Sequence, residues 1–339
     1  MRKKGRWNAF IALFFVVFFV SACSQQTSGS GGGVNIAVGP PASETQSVAK
    51  KILEAYGVKD GDYKAFQEGF GDALNGVQDG NIAISFGILG VPTGSINELQ
   101  AAAKDVKMLS LSDEAIAHIE KNTSYKAYTI PKGSYDFLDS DVKTVTAYAI
   151  LVGNTNTIDE KTGYELTKYM YEKASENTHA QAKEMTLKNA LNGSEGLPIH
   201  PGAKKYFEEK GLKVTNPVAT LDIKSKGKQE LILGTGSQGG TYYPLGGELA
   251  NIWKKYASVN ITNTETSASL ENLANIREGT MDLGMSVHVP AQNAIAGKEQ
   301  FEGNQIKNVA FMGHIYPEVI QIVTRKSTGI NSLEDIVKK

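Results

Sequence analysis

The chain has 339 residues, with 35 Lys and Arg against 36 Asp and Glu, 41% hydrophobic residues, 21% charged residues and a single Cys. One thiol excludes a disulfide scaffold and a cysteine-based zinc site, the composition excludes collagenous and disordered chains, and the lack of excess positive charge argues against nucleic-acid binding. A globular protein of about two domains remains.

The near-zero charge conceals an asymmetry. Arg2, Lys3, Lys4 and Arg6 crowd the first six residues, ahead of an apolar run from Ala9 to Val20. Residues 1–22 therefore read as an export signal, too short for a comfortable transmembrane helix of roughly 20 residues. Val20-Ser21-Ala22-Cys23 resembles a bacterial lipobox. That resemblance implies a lipid-modified Cys23 as mature N-terminus and membrane anchor, on the extracytoplasmic face of a bacterial membrane. Residues 23–33, rich in Gly and Ser, are expected to form a flexible tether.

From Val34 onward, apolar runs alternate with helical patterns. The spacing predicts strands over 34–38, 81–86, 145–152, 230–233, 259–263, 283–286, 309–312 and 319–324. Amphipathic stretches predict helices over 43–56, 163–174, 245–256 and 269–279. This interleaving indicates an α/β protein with mostly parallel sheets covered on both faces, arranged as two lobes.

Three strand-to-helix junctions are rich in Gly and hydroxyl residues: 39–45, 234–241 and 264–269. Such junctions present helix N-terminal amides at the carboxyl ends of parallel strands, where open α/β sheets bind ligands. Each alone is equally a well-capped helix start. Gly234-x-Gly236-x-x-Gly239 also fits a dinucleotide fingerprint, with Glu265 as ribose partner, although an exported protein meets little nicotinamide cofactor. The sequence lacks Gly-x-Ser-x-Gly and His-Glu-x-x-His motifs, and its five histidines lack ligand spacing, so neither catalysis nor a metal site is expected. After the signal the only arginines are Arg277 and Arg325. Amides, hydroxyls and tyrosines are thus the expected holders of an acidic ligand.

The segment from Gly234 to Gly246, together with Glu271-Asn272-Leu273, Gly279-x-Met281-Asp282-Leu283 and Tyr316-Pro317-Glu318-Val319, resembles the TAXI family. These are solute-binding subunits of tripartite ATP-independent periplasmic (TRAP) transporters. Gly90-Val91-Pro92 and Leu197-Pro198-Ile199-His200-Pro201-Gly202-Ala203 add to the likeness. The order of blocks differs from the family's, since the Gly-Thr-Gly-Ser block comes late. The chain reads as a circular permutant whose original ends are joined across about 213–228.

The resemblance implies a two-lobed periplasmic-binding-protein-like (type II) fold with a ligand cleft. Lobe B is expected to comprise 34–145 plus 326–339, and lobe A 146–325, with hinge strands near 145–152 and 319–325. It implies a monomer without cofactor that captures glutamate or another small acidic solute and delivers it to TRAP membrane subunits. A permuted sensor scaffold and an exported enzyme are the alternatives. Matched onto this chain, the ligand residues are Ser237, Thr241, Tyr242, Ser267 and Ser269 in lobe A, and Ser43, Thr45, Gly90 and Pro92 in lobe B. Ser286 and His288 occupy a position where the family often carries other residues, and His288 is expected either to sense pH or to be a satisfied histidine. The new C-terminus, 332–338, is expected to fray.

Overall fold

The structure, a computed structural model, describes residues 33–223 and 230–337. Cys23, the signal, most of the tether and residues 224–229 of the expected junction lie outside the described residues. No described helix is long and apolar enough to cross a membrane.

The chain enters through β1 (Val34–Ala37), α1 (Glu44–Ala55), β2 (Tyr63–Phe66), α2 (Phe70–Gln78), β3 (Ile84–Leu89), α3 (Gly94–Ala103), β4 (Val106–Met108), α4 (Asp113–Asn122) and β5 (Lys126–Ile130). The 13-residue β6 (Val142–Asn154) then leads to α5 (Glu160–Glu172) and α6 (Pro201–Glu209). Next come β7 (Glu230–Gly234), α7 (Tyr242–Tyr256), β8 (Asn260–Thr264), α8 (Ser269–Glu278), β9 (Leu283–Val287), α9 (His288–Ala296) and the 17-residue β10 (Val309–Arg325).

The strands form a sheet in the order β2-β1-β3-β10-β6-β9-β7-β8, with β4 on β10 and β5 on β6. Pairing is parallel at both ends, β1 with β2 and β3, and β7 with β8 and β9. It is antiparallel through the middle, where β10 pairs with β6 from Val309↔Asn154 to Val319↔Thr146. The two long strands serve both halves of the molecule. Residues 149–153 of β6 pair with β9, and residues 319–324 of β10 pair with β3.

Two helix-covered halves result, joined also where Val287 and Val289 pack into the cluster around Ile36 and Ile320. One large apolar cluster runs from Ala149 to Tyr316 and packs α5, α6, α7 and α8 around β7 and β9. In the other half, alternation along the strands divides the core between the two sheet faces. Ile36, Ile320 and Ile322 enter one cluster, whereas Ala37, Val319 and Val323 enter the other.

The sequence suggested two short strands at 309–312 and 319–324 because Gly313 and Pro317 interrupt the apolar pattern. They are one strand. β10 carries register shifts between Phe311 and Gly313 and between His314 and Tyr316, so the interruption falls at bulges rather than at a chain break. A Cβ at Gly313, whose φ is +159°, would strike Tyr171 and Met170.

The C-terminal segment is docked. Ser332 and Asp335 form a reciprocal capping box, and Leu333 and Ile336 are buried in the same cluster as Ile36 and Val48. The expectation of fraying over 332–338 does not fit this burial within the described part of that segment. Leu333→Ala should lower unfolding stability by about 2–5 kcal/mol in a urea titration; an unchanged midpoint would contradict the docking.

Candidate ligand site

The parallel strands of each half point their carboxyl ends toward the middle of the sheet, and the helices that follow begin there. Ser43 caps α1: its Oγ accepts from Gln46 N at 3.2 Å and donates to the Pro40 carbonyl at 2.7 Å. The starts of α7 and α8 are built differently. Thr241, at the N-cap of α7, makes no cap hydrogen bond, because its Oγ1 accepts from Gly90 N of the opposite half at 3.0 Å. Ala268, at the N-cap of α8, has no side-chain acceptor, and Ser269 Oγ is engaged by Val287 N at 2.9 Å. The first turns of α7 and α8 therefore lack a side-chain cap at the N-cap position.

These helix starts surround a cavity of ≈ 70 Å³ between the two halves. Ser43, Glu44, Thr45, Phe70, Phe86, Ile88 and Leu89 line it from one side, and Ser237, Thr241, Tyr242, Ser267, Ser269 and Val287 from the other. Tyr316 and Glu318 of β10 form its floor between them. A wider, open cleft of ≈ 1030 Å³ lies outside it, bordered by Asp72, Glu98, Gln238, Glu265 and Glu271.

The halves touch above the cavity. Phe70 N donates to Ser237 Oγ at 3.3 Å, and Ser95 Oγ donates to the Gly239 carbonyl at 2.9 Å. Gly239 and Gly71 meet backbone to backbone, so that a Cβ on either would press against the other's main chain. Only a glycine pair permits this approach. At the far edge, Lys51 faces Glu299 at 3.4 Å and Gln300 Nε2 donates to Ser47 Oγ at 2.9 Å.

The electrostatics of the cavity are acidic. Glu318 is 1% exposed; Tyr316 Oη donates to its Oε1 at 2.8 Å, while its Oε2 and Tyr242 Oη have no hydrogen-bond partner. Burial pushes the Glu318 carboxyl up to about 8. Burial likewise pushes Glu44 up to about 7, although Tyr125 Oη donates to its Oε1 at 2.9 Å. No Lys, Arg or His lines the cavity. Arg325 is committed elsewhere, with Nε on Asp105 Oδ1 at 2.7 Å and a second donor on the Gln78 carbonyl, and Arg277 pairs with Glu278.

Of the eleven ligand residues expected from sequence, seven line the cavity: Ser43, Thr45, Ser237, Thr241, Tyr242, Ser267 and Ser269. Gly90 and Pro92 lie one step behind it. Gly90 N holds Thr241, and the Pro92 carbonyl, after a cis peptide bond, accepts from Gln181 Nε2 at 3.3 Å. Ser286 and His288 stand outside the lining. Ser286 is fully buried within β9, its Oγ donating to the Val287 carbonyl at 2.8 Å. His288 opens α9, and its Nδ1 accepts from Tyr148 N at 3.1 Å. Burial lowers its pKa to about 4. Glu265 does not face a free loop, because Gln238 N and Nε2 both donate to it. Among the described residues no cluster of three or more ligating side chains could hold a metal ion.

Sequence reasoning missed Glu44, Tyr316 and Glu318. Glu318 stands in a 17-residue strand buried along nearly its whole length, and a buried carboxylate is rare unless it has a task, but that burial shows only in the structure.

A model of the NMT1-like family matches residues 17–211 and 233–339. Solved structures that resemble the chain include the phosphate-binding protein of a phosphate ABC transporter from Streptococcus pneumoniae TIGR4, at 14% identity and TM-score 0.37, covering 91% of this chain and 95% of that one. An ancestral arginine-binding protein bound to arginine matches at 12% identity and TM-score 0.40, covering 91% and 92%. PhnD1 from Prochlorococcus marinus in complex with methylphosphonate matches at 11% identity and TM-score 0.42, covering 90% and 81%.

The buried acids give the protein a defined pH response. A carboxyl whose folded pKa is raised from 4.5 to about 8 contributes stability that is complete below about pH 4.5 and is lost as pH rises through 8. Glu318→Gln should remove most of that loss, on the order of a few kcal/mol between pH 5 and 8.5 in urea unfolding. A wild-type and variant pair with parallel pH profiles would contradict the assignment.

Proposed function

We propose that this chain, which belongs to the NMT1-like family, is the extracytoplasmic solute-binding subunit of a TRAP transporter and captures a small carboxylate-bearing solute such as an amino acid. The observation that carries the reading is the cavity itself: three helix starts from both halves converge on it, two of them without a side-chain cap. Such amides favour an anion and need no arginine. Closure across Gly71 and Gly239 buries the solute, and opening about β6 and β10 releases it to the membrane subunits.

The same reading places the protein, as a monomer, on the outer face of a bacterial membrane by lipid on Cys23, with residues 23–33 as its tether. It also treats the chain as a circular permutant of the TAXI arrangement. Two features favour that order. The family match resumes at residue 233 after a gap from 212, and the first strand and the last described residues share one core cluster.

A thermal-shift screen distinguishes this from a cofactor enzyme. Small carboxylates and amino acids should raise the melting temperature by several degrees at saturating concentration, and NAD should not. No shift with any carboxylate would sink the reading.

A further inference from the structure

We infer that the cavity selects a small zwitterion rather than a dicarboxylate, its ammonium held by the free oxygen of Glu318 and the hydroxyl of Tyr242. This rests on the carboxylate-capture reading above and adds the ligand's second end. Glu318 Oε2 and Tyr242 Oη, which face each other, are the two buried side-chain atoms of the cavity lining that lie outside hydrogen-bond geometry with any protein group. Tyr316 fixes the carboxylate by binding its other oxygen, so Oε2 is aimed rather than free to turn. Once Glu318 is ionised, a buried acceptor in that position calls for a donor from the ligand, and an ammonium offers three.

Charge and size point the same way. No cation stands among the lining residues to hold a second carboxylate on the solute. The remaining wall is apolar, from Phe86, Ile88 and Val287. The cavity is small, ≈ 70 Å³, and L-alanine is the smallest chiral zwitterion that can be set against L-glutamate.

Binding should also move a proton. Burial holds Glu318 up at about 8, so it is neutral at pH 7. An adjacent ammonium favours its ionised form, and one proton leaves to solvent. The titratable groups that face it are Tyr316 on its own strand, Tyr242 on α7, Glu44 on α1 and Tyr125 between α4 and β5.

The test is titration calorimetry of the protein with L-alanine, propionate, L-glutamate and succinate, repeated at pH 7 in buffers of different ionisation enthalpy. L-Alanine should bind about tenfold or more tighter than propionate. It should release about one proton per site. Glu318→Gln should abolish both the preference and the proton release, and Tyr242→Phe should weaken the preference. Should Glu318→Gln fail to fold by circular dichroism, the wild-type proton count and Tyr242→Phe decide the matter. Propionate, succinate or L-glutamate binding as tightly as L-alanine would overturn the zwitterion inference and leave carboxylate capture standing. Absence of binding by all four would overturn the inference together with the reading beneath it.

Discussion

The antiparallel ladder between β6 and β10 is the constraint on which the rest of the molecule depends. It runs from Val309↔Asn154 to Val319↔Thr146, and each strand exchanges its outer partner part-way along. β6 leaves β9, β10 picks up β3, and the sheet passes from one helix-covered half to the other without a break in its hydrogen bonding. Among the described strands these two run through both halves, and Val287 and Val289 at the β9–α9 corner join the apolar cluster around Ile36 and Ile320, so the two cores also touch at the crossing. The bulges of β10 near Gly313 and His314 add local twist at this crossing.

The ladder also explains why the cavity has its chemistry. Tyr316 and Glu318 sit on β10 where it leaves one half for the other, so they face the gap between helix starts rather than a closed core. The amides of α7 and α8 offer partial positive charge there, and the buried carboxyls offer acceptors. A single site thus carries both polarities without one basic side chain. Thr241 shows how economical the arrangement is, because the hydroxyl that would cap its own helix instead ties down Gly90 across the gap. The uncapped turn and the contact between halves come from the same bond.

Much of this was legible in the amino-acid order. The alternation of short apolar runs with amphipathic stretches gave α/β architecture, and the Gly- and hydroxyl-rich junctions at 39–45, 234–241 and 264–269 contain six of the seven expected ligand residues that line the cavity. β2, β4 and β5 were not legible, being only three to five residues long and partly exposed, too short to establish a period. Ser286 and His288 were placed in the cleft by their match to a family position. All five residues of β9 are buried, however, as expected of a strand covered on both faces, so a polar residue there turns inward to main-chain partners. Gly90 and Pro92 were right about the neighbourhood but one step from the cavity, a distance set by the chain's turn and not by residue type. Glu318 was visible within a quoted motif, yet its importance depends on burial, which arises only when the halves close over it.

The central claim is that the uncapped helix starts of α7 and α8 hold a carboxylate inside the closed cavity. A crystal structure of the protein with L-alanine tests it most directly. The account predicts carboxylate oxygens at about 3 Å from first-turn amides of α7 or α8, with the solute enclosed between Tyr242 and Glu318. A solute lodged in the open outer cleft beside Asp72 and Glu271, with those amides facing only water, would contradict it.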